Sequence, residues 1–234
     1  RAEPIGKYSW DNKASGTGSS TSDYGSSDWS DSALQLVLNE GAYWNRTTGE
    51  CPYGQNDATT ACDFSSTGLT EEAKSMIGTT LWSLGGASHS SSSTGLASHW
   101  YSYERGTTVY SGRPKEWIGK IGLMYPSDYG YATSGGTTTN RETCLNAALF
   151  NWNFSSYSDC YSNDWLYDSS NYQWTLTPYF DNSAYVFYVN DTGKVYSTNA
   201  NYTAPVASPA LYLKANVKIS GGIGTSSDPY SLSL

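Results

Sequence analysis

The sequence predicts an α+β fold. Amphipathic helix signals fall in the first third of the chain, strand signals joined by short turns follow Pro114, and the two kinds do not alternate as βαβ units would. Residues 1–27 read as a polar lead-in, with Gly16-Thr-Gly-Ser-Ser-Thr-Ser22 too small and polar to pack. Residues 28–234 read as a single domain, without internal repeat or linker.

The first helix is predicted with Ser30 as N-cap and Asp31 in its first turn. Ala33, Leu34, Val37 and Leu38 share one face, and Gly41 stops it. The second starts at Thr70, with Glu71 and Glu72 at its positive end. Its stripe is Ala73, Met76, Ile77 and Leu81, and Gly85-Gly86 closes it. Strands are predicted over residues 116–125, 174–178, 185–190 and 194–197, the last two flanking an Asp191-Thr-Gly turn. A final strand over 210–219 places Leu211, Leu213, Ala215, Val217 and Ile219 on one face.

The interior must be built largely of rings, since the chain holds 21 Tyr and nine Trp but only five Phe and two Met. Trp29, Trp117, Trp174, Phe187 and Tyr212 lie in predicted regular elements and are assigned to core or sheet faces. Charged residues are only 15% of the chain, which suits an extracellular protein. A net charge of −8 without a basic stripe argues against nucleic acid as partner. No run of about 18 apolar residues exists to span a membrane. The chain opens at Arg1 without a methionine and is taken as processed or trimmed.

Cys51, Cys62, Cys144 and Cys160 are even in number, form no C-x-x-C unit and point to disulfides rather than zinc. Three pairings are possible. Cys51–Cys62 with Cys144–Cys160 is favoured because each closes a short loop, worth roughly 3 kcal/mol. Free buried thiols are the alternative. Sequons occur at Asn45, Asn153, Asn190 and Asn201 and carry little weight in so Asn- and Ser-rich a chain.

Residues 151–202 have the composition of a recognition surface, with nine Tyr, three Trp, eight Asn, five Asp and a single Lys. Tyr and Trp offer stiff amphipathic area at low entropy cost, and Asn and Ser add adaptable hydrogen bonds. Tyr157, Tyr161, Trp165, Tyr167, Tyr172, Tyr185 and Tyr202 lie among Ser, Asn and Asp and are the exposed candidates. No catalytic residue is assigned. There is no Gly-x-Ser-x-Gly elbow, and neither His89 nor His99 has a nucleophile beside it.

Four segments carry a likeness: Trp29-x-x-Ser-x-Leu-x-x-x-Leu-Asn39, Gly119-Lys-Ile-Gly-Leu-Met-Tyr-Pro-Ser-Asp-Tyr-Gly-Tyr131, Trp174-Thr-Leu-Thr-Pro178 and Ser208-Pro-Ala-Leu-Tyr-Leu-Lys214. They resemble a group of bacterial surface proteins with a C-type-lectin-like fold, a fold shared with formylglycine-generating enzymes and retroelement-diversified variable proteins. The end, Gly-Thr-Ser-Ser-Asp-Pro-Tyr230, is similar to how such domains end.

The resemblance implies two short helices packed on small antiparallel sheets with long irregular insertions. It places a ligand face on residues 125–131, 151–172, 181–185 and 199–202. Tyr129, Tyr131, Asn163 and Asp164 thereby join the exposed candidates. Cys144–Cys160 would brace the loop base. The motifs by which calcium-dependent lectins hold sugar are missing; Asp159, Asn163, Asp164 and Asp168 could supply some oxygens for Ca²⁺, and no metal site is assigned. The expected function is non-enzymatic binding of a glycan or protein at the cell surface. The alternative is the head of a pilin-like filament subunit whose aromatic face makes subunit contacts.

Overall fold

The computed structural model describes residues 3–14, 25–225 and 227–234. The Gly16–Ser22 stretch lies outside the described residues. Residues 3–14 are no lead-in: Trp10 is fully buried, its indole donates to the Thr175 carbonyl at 3.0 Å, and Asp11 caps the Ala33 amide at 2.9 Å.

The elements run α1 (Ala33–Asn39), α2 (Ala42–Asn45), β1 (Thr48–Pro52), β2 (Thr59–Asp63), α3 (Glu71–Met76), β3 (Thr80–Ser83), α4 (His89–Thr94), α5 (Ala97–Glu104), β4 (Glu116–Gly119) and β5 (Ile121–Leu123). They continue with α6 (Pro126–Ala132), α7 (Arg141–Leu145), α8 (Ser158–Ser162), β6 (Gln173–Pro178), β7 (Tyr185–Val189), β8 (Val195–Asn199), β9 (Pro209–Leu211), β10 (Lys218–Gly221) and β11 (Ser231–Ser233). The strands form small antiparallel sheets: one of three strands, β6-β7-β8, and two-stranded pairs β1-β2, β3-β4, β5-β9 and β10-β11. The class is mixed α and β, as predicted, though helices are more numerous than two.

The three-stranded sheet is an internal wall. On β7, Val186 and Tyr188 pack into one core cluster with Trp10, Trp29, Leu34 and Leu38. Phe187 and Val189 point the other way, into a second cluster with Trp100, Tyr129, Leu149 and Trp152. The two-residue period of a strand thus serves two cores, which is why Tyr185–Val189 is apolar without alternation.

Several local expectations change. Ser32, not Ser30, caps α1, accepting from the Gln35 amide at 3.2 Å, while Ser30 lies in a preceding 3-10 turn. Thr70 caps α3 as predicted, accepting from Ala73 at 3.0 Å. That helix ends at Met76, and Leu81 belongs to β3, where it is exposed. Residues 116–125 break at Lys120 into β4 and β5, because the Asn39 side chain takes the Lys120 and Ile121 amides. The predicted strand over 210–219 splits into β9 and β10 around a turn, Leu213 bridges Ile77, and Tyr212 is half exposed rather than core.

Both favoured disulfides are present. Cys51–Cys62 ties β1 to β2 with Cα atoms 5.9 Å apart, and Cys144–Cys160 ties α7 to α8 at 5.4 Å. Among the described residues no helix is long and apolar enough to cross a membrane.

Candidate functional site

Helices α5 and α6 pack closely, since Gly130 faces Ala97 where a Cβ would come within 2.7 Å of the alanine methyl. On α5, Trp100 turns into the core, so its neighbour Tyr101, about 100° round the helix, faces out. α6 presents Ser127, Asp128, Tyr131 and Ala132 beside it. Between them opens a cleft of about 470 Å³, floored by Met124, Leu166 and Ala210 and edged by Trp165. Three large rings stand on it in solvent: Trp165 is 64% exposed, Tyr101 52% and Tyr131 42%.

The Trp165 edge is held from below. The Asp164 carboxylate accepts the Leu166 amide at 2.8 Å, its carbonyl accepts the Tyr167 amide at 3.2 Å, and its backbone bridges Thr133. Asp164 is itself buried, and burial pushes its carboxyl up to about 8. Asp164, expected from the sequence at the ligand face, is thus a buried support of the cleft edge.

A second polar assembly lies behind Tyr101. The buried Glu104 carboxylate accepts the Ser127 amide at 2.9 Å and the Ser127 hydroxyl, and pairs with Arg105 Nη1. Burial pushes Glu104 up to about 7 against those bonds. The Arg105 guanidinium lies 4.2 Å from the Tyr101 ring centroid and 4.4 Å from that of Tyr125. Tyr125 is fixed in turn by donating its hydroxyl to the Ser83 carbonyl at 2.9 Å.

Of the residues expected at the ligand face, Tyr131 and Trp165 meet in this cleft. Tyr129 is fully buried and donates to the Gly193 carbonyl at 2.8 Å, which removes it from any binding surface. Tyr161 and Tyr167 are half-buried, with ring centroids 5.1 Å apart; Tyr167 donates to the Asp191 carbonyl, and Tyr161 covers Gly193. Gly193 has φ +82°, and a Cβ there would lie 2.4 Å from Tyr161, so these tyrosines clamp the β7–β8 turn.

Tyr157 and Tyr185 are half-buried against the second core, and Asn163 is an exposed residue whose carbonyl accepts from Ser134. Tyr172 is half-buried and stacks near Tyr188 at 5.5 Å, whereas Tyr202 is exposed. Sequence reasoning missed Tyr101, Met124 and Ala210, while Ser127 and Asp128 lie within the 125–131 stretch expected at the face. The run His99-Trp-Tyr-Ser-Tyr103 held a signal, because adjacent rings on one helix cannot all face inward.

The carboxylates considered for Ca²⁺ accept backbone amides. Asp159 accepts the Thr138 and Thr139 amides at 2.7 and 2.8 Å, and Asp168 accepts the Ser170 amide at 2.9 Å. Among the described residues no group of three or more His, Cys, Asp and Glu could hold a metal ion. His99 accepts the Leu96 amide at 3.4 Å at the start of α5, and His89 sets its ring edge-on to Phe150. Comparison with protein-family models, with curated proteins and with solved structures gave no match.

Proposed function

We propose that the chain is a C-type-lectin-like, non-enzymatic binding domain, secreted or displayed at a cell surface, that recognises a glycan in the cleft between α5 and α6. The observation that carries this is the set of three exposed rings, Tyr101, Tyr131 and Trp165, around one cleft of about 470 Å³. Pyranose rings present C–H faces that stack on such side chains, and a ligand pocket characteristically joins an apolar floor to a few polar groups. Here the exposed polar group is Asp128. Small sheets with long irregular connections suit the lectin-like reading, and two disulfides suit an oxidising compartment.

The test is a glycan array with the whole chain, followed by Trp165→Ala and Tyr101→Ala. Loss of one stacked ring is expected to weaken binding roughly tenfold or more. Tyr172→Ala, outside the cleft, is expected to bind as the wild type does. Full retention by both cleft variants would refute the site.

One observation favours self-assembly as a second reading. Leu81 and Ile118 are cross-strand partners on β3 and β4, and they are 53% and 69% exposed. This is an aliphatic contact, not the aromatic face expected for a filament head. Ile118→Lys would abolish fibres or higher oligomers seen by light scattering; a wild-type monomer at every concentration would end that reading.

A further inference from the structure

Arg105 is the side chain whose hydrogen bonding is left unfinished beside the cleft. Its Nη1 is spent on Glu104 and, at 3.4 Å, on the Ser127 hydroxyl. Its Nε and Nη2 find no acceptor among the described residues, and the side chain keeps 29% of its surface exposed. The Tyr101 and Tyr125 rings hold the guanidinium plane on either contact, so the fork is oriented before any ligand arrives. Nε and Nη2 form the edge of a guanidinium that matches the two oxygens of a carboxylate.

Arg105 also lines a second cleft of about 510 Å³, with Gly106, Thr107, Arg113, Lys115 and Glu116 among others. The wall gathers three of the 13 basic residues of a chain whose net charge is −8. Arg113 is partly engaged, donating to the Ser183 carbonyl at 3.1 Å and facing Asp28 at 3.9 Å. The opposing charges near Arg105 are Glu104, Asp128 and Glu116. Since Tyr101 and Ser127 line the first cleft and contact Arg105, the guanidinium divides two adjoining depressions.

We infer that Arg105 is the carboxylate-reading residue of the binding site, so that the ligand is an acidic saccharide whose ring stacks at Tyr101 and Trp165 while its carboxylate takes the Nε and Nη2 edge. This rests on the cleft being the glycan site. It adds a chemical class, because a neutral sugar would leave the ordered fork unpaired.

The test uses pairs of oligosaccharides differing only in charge: hexuronate and sialic-type glycans, each beside its methyl ester, with sulfated and neutral glycans on the same array. Wild-type chain is expected to bind at least one acid roughly tenfold or more tighter than its ester. Arg105→Gln should erase that preference while keeping the weaker ester binding, and Arg105→Lys should restore part of it. Correct folding of each variant is read from its near-UV circular dichroism, dominated by the buried tryptophans. Equal binding of acid and ester, lost in Trp165→Ala, overturns the inference and leaves the cleft standing. Preference for sulfated glycans alone overturns the carboxylate assignment. Binding of no glycan overturns both.

Discussion

Glu104 joins fold and site in one side chain. It is fully buried beneath the cleft, and burial is the largest influence on its carboxyl, raising it to about 7 despite two bonds from Ser127 and the charge of Arg105. The folded state therefore holds this proton more tightly than the unfolded chain does. Its contribution to stability is full below the unfolded value near 4.5 and is lost as pH rises through about 7. The scale is on the order of 3 kcal/mol. Glu104→Gln should flatten the fall in thermal midpoint between pH 5 and 8 relative to wild type (about that window by linkage). An unchanged slope would mean that the carboxyl ionises in the fold without cost. Asp164, raised by burial to about 8, acts in the same direction from the opposite edge of the cleft.

At the scale of elements, what was legible depended on whether a signal was local. Thr70 at the start of α3, the turn after Asn190 and the short Cys–Cys spacings are determined by residues close in sequence, and the structure keeps them. Helix α4 is His-Ser-Ser-Ser-Ser-Thr and has no apolar stripe; its formation depends on the Ser88 cap and on packing against the Leu149–Asn151 turn. The alternation over 210–219 looked like a half-buried strand, yet Leu211, Leu213 and Ile219 are exposed. Period alone cannot tell a strand resting on a core from a segment resting on nothing. The Cys144–Cys160 bridge joins α7 to α8, just before the Trp165 edge. Replacing both cysteines by Ala should lower the denaturant midpoint by the equivalent of about 3 kcal/mol. A shift below about 1 kcal/mol would show that packing of Trp152 and Leu149 already fixes this loop.

Across the whole molecule, rings do two jobs that composition cannot separate. Trp10, Trp29, Trp100, Trp152 and Trp174 are all but sealed inside two cores divided by the β6-β7-β8 wall. Tyr129, Tyr161 and Tyr167, all expected at the ligand face, fasten the turn at the end of that wall. Only Tyr131 and Trp165 of that set reach the cleft, where Tyr101 joins them from a helix far earlier in the chain. That Tyr101 and Trp165 line one cleft is a tertiary relation that no single window of sequence contains.

The nine tryptophans allow this to be read in one spectrum. In a two-dimensional amide correlation experiment, titrating the tightest glycan from the array should move the Trp165 indole N–H signal saturably. The Trp10 and Trp174 indoles, which donate to the Thr175 and Tyr8 carbonyls, should stay fixed. Saturable binding that leaves the Trp165 signal in place would contradict the cleft as the ligand site.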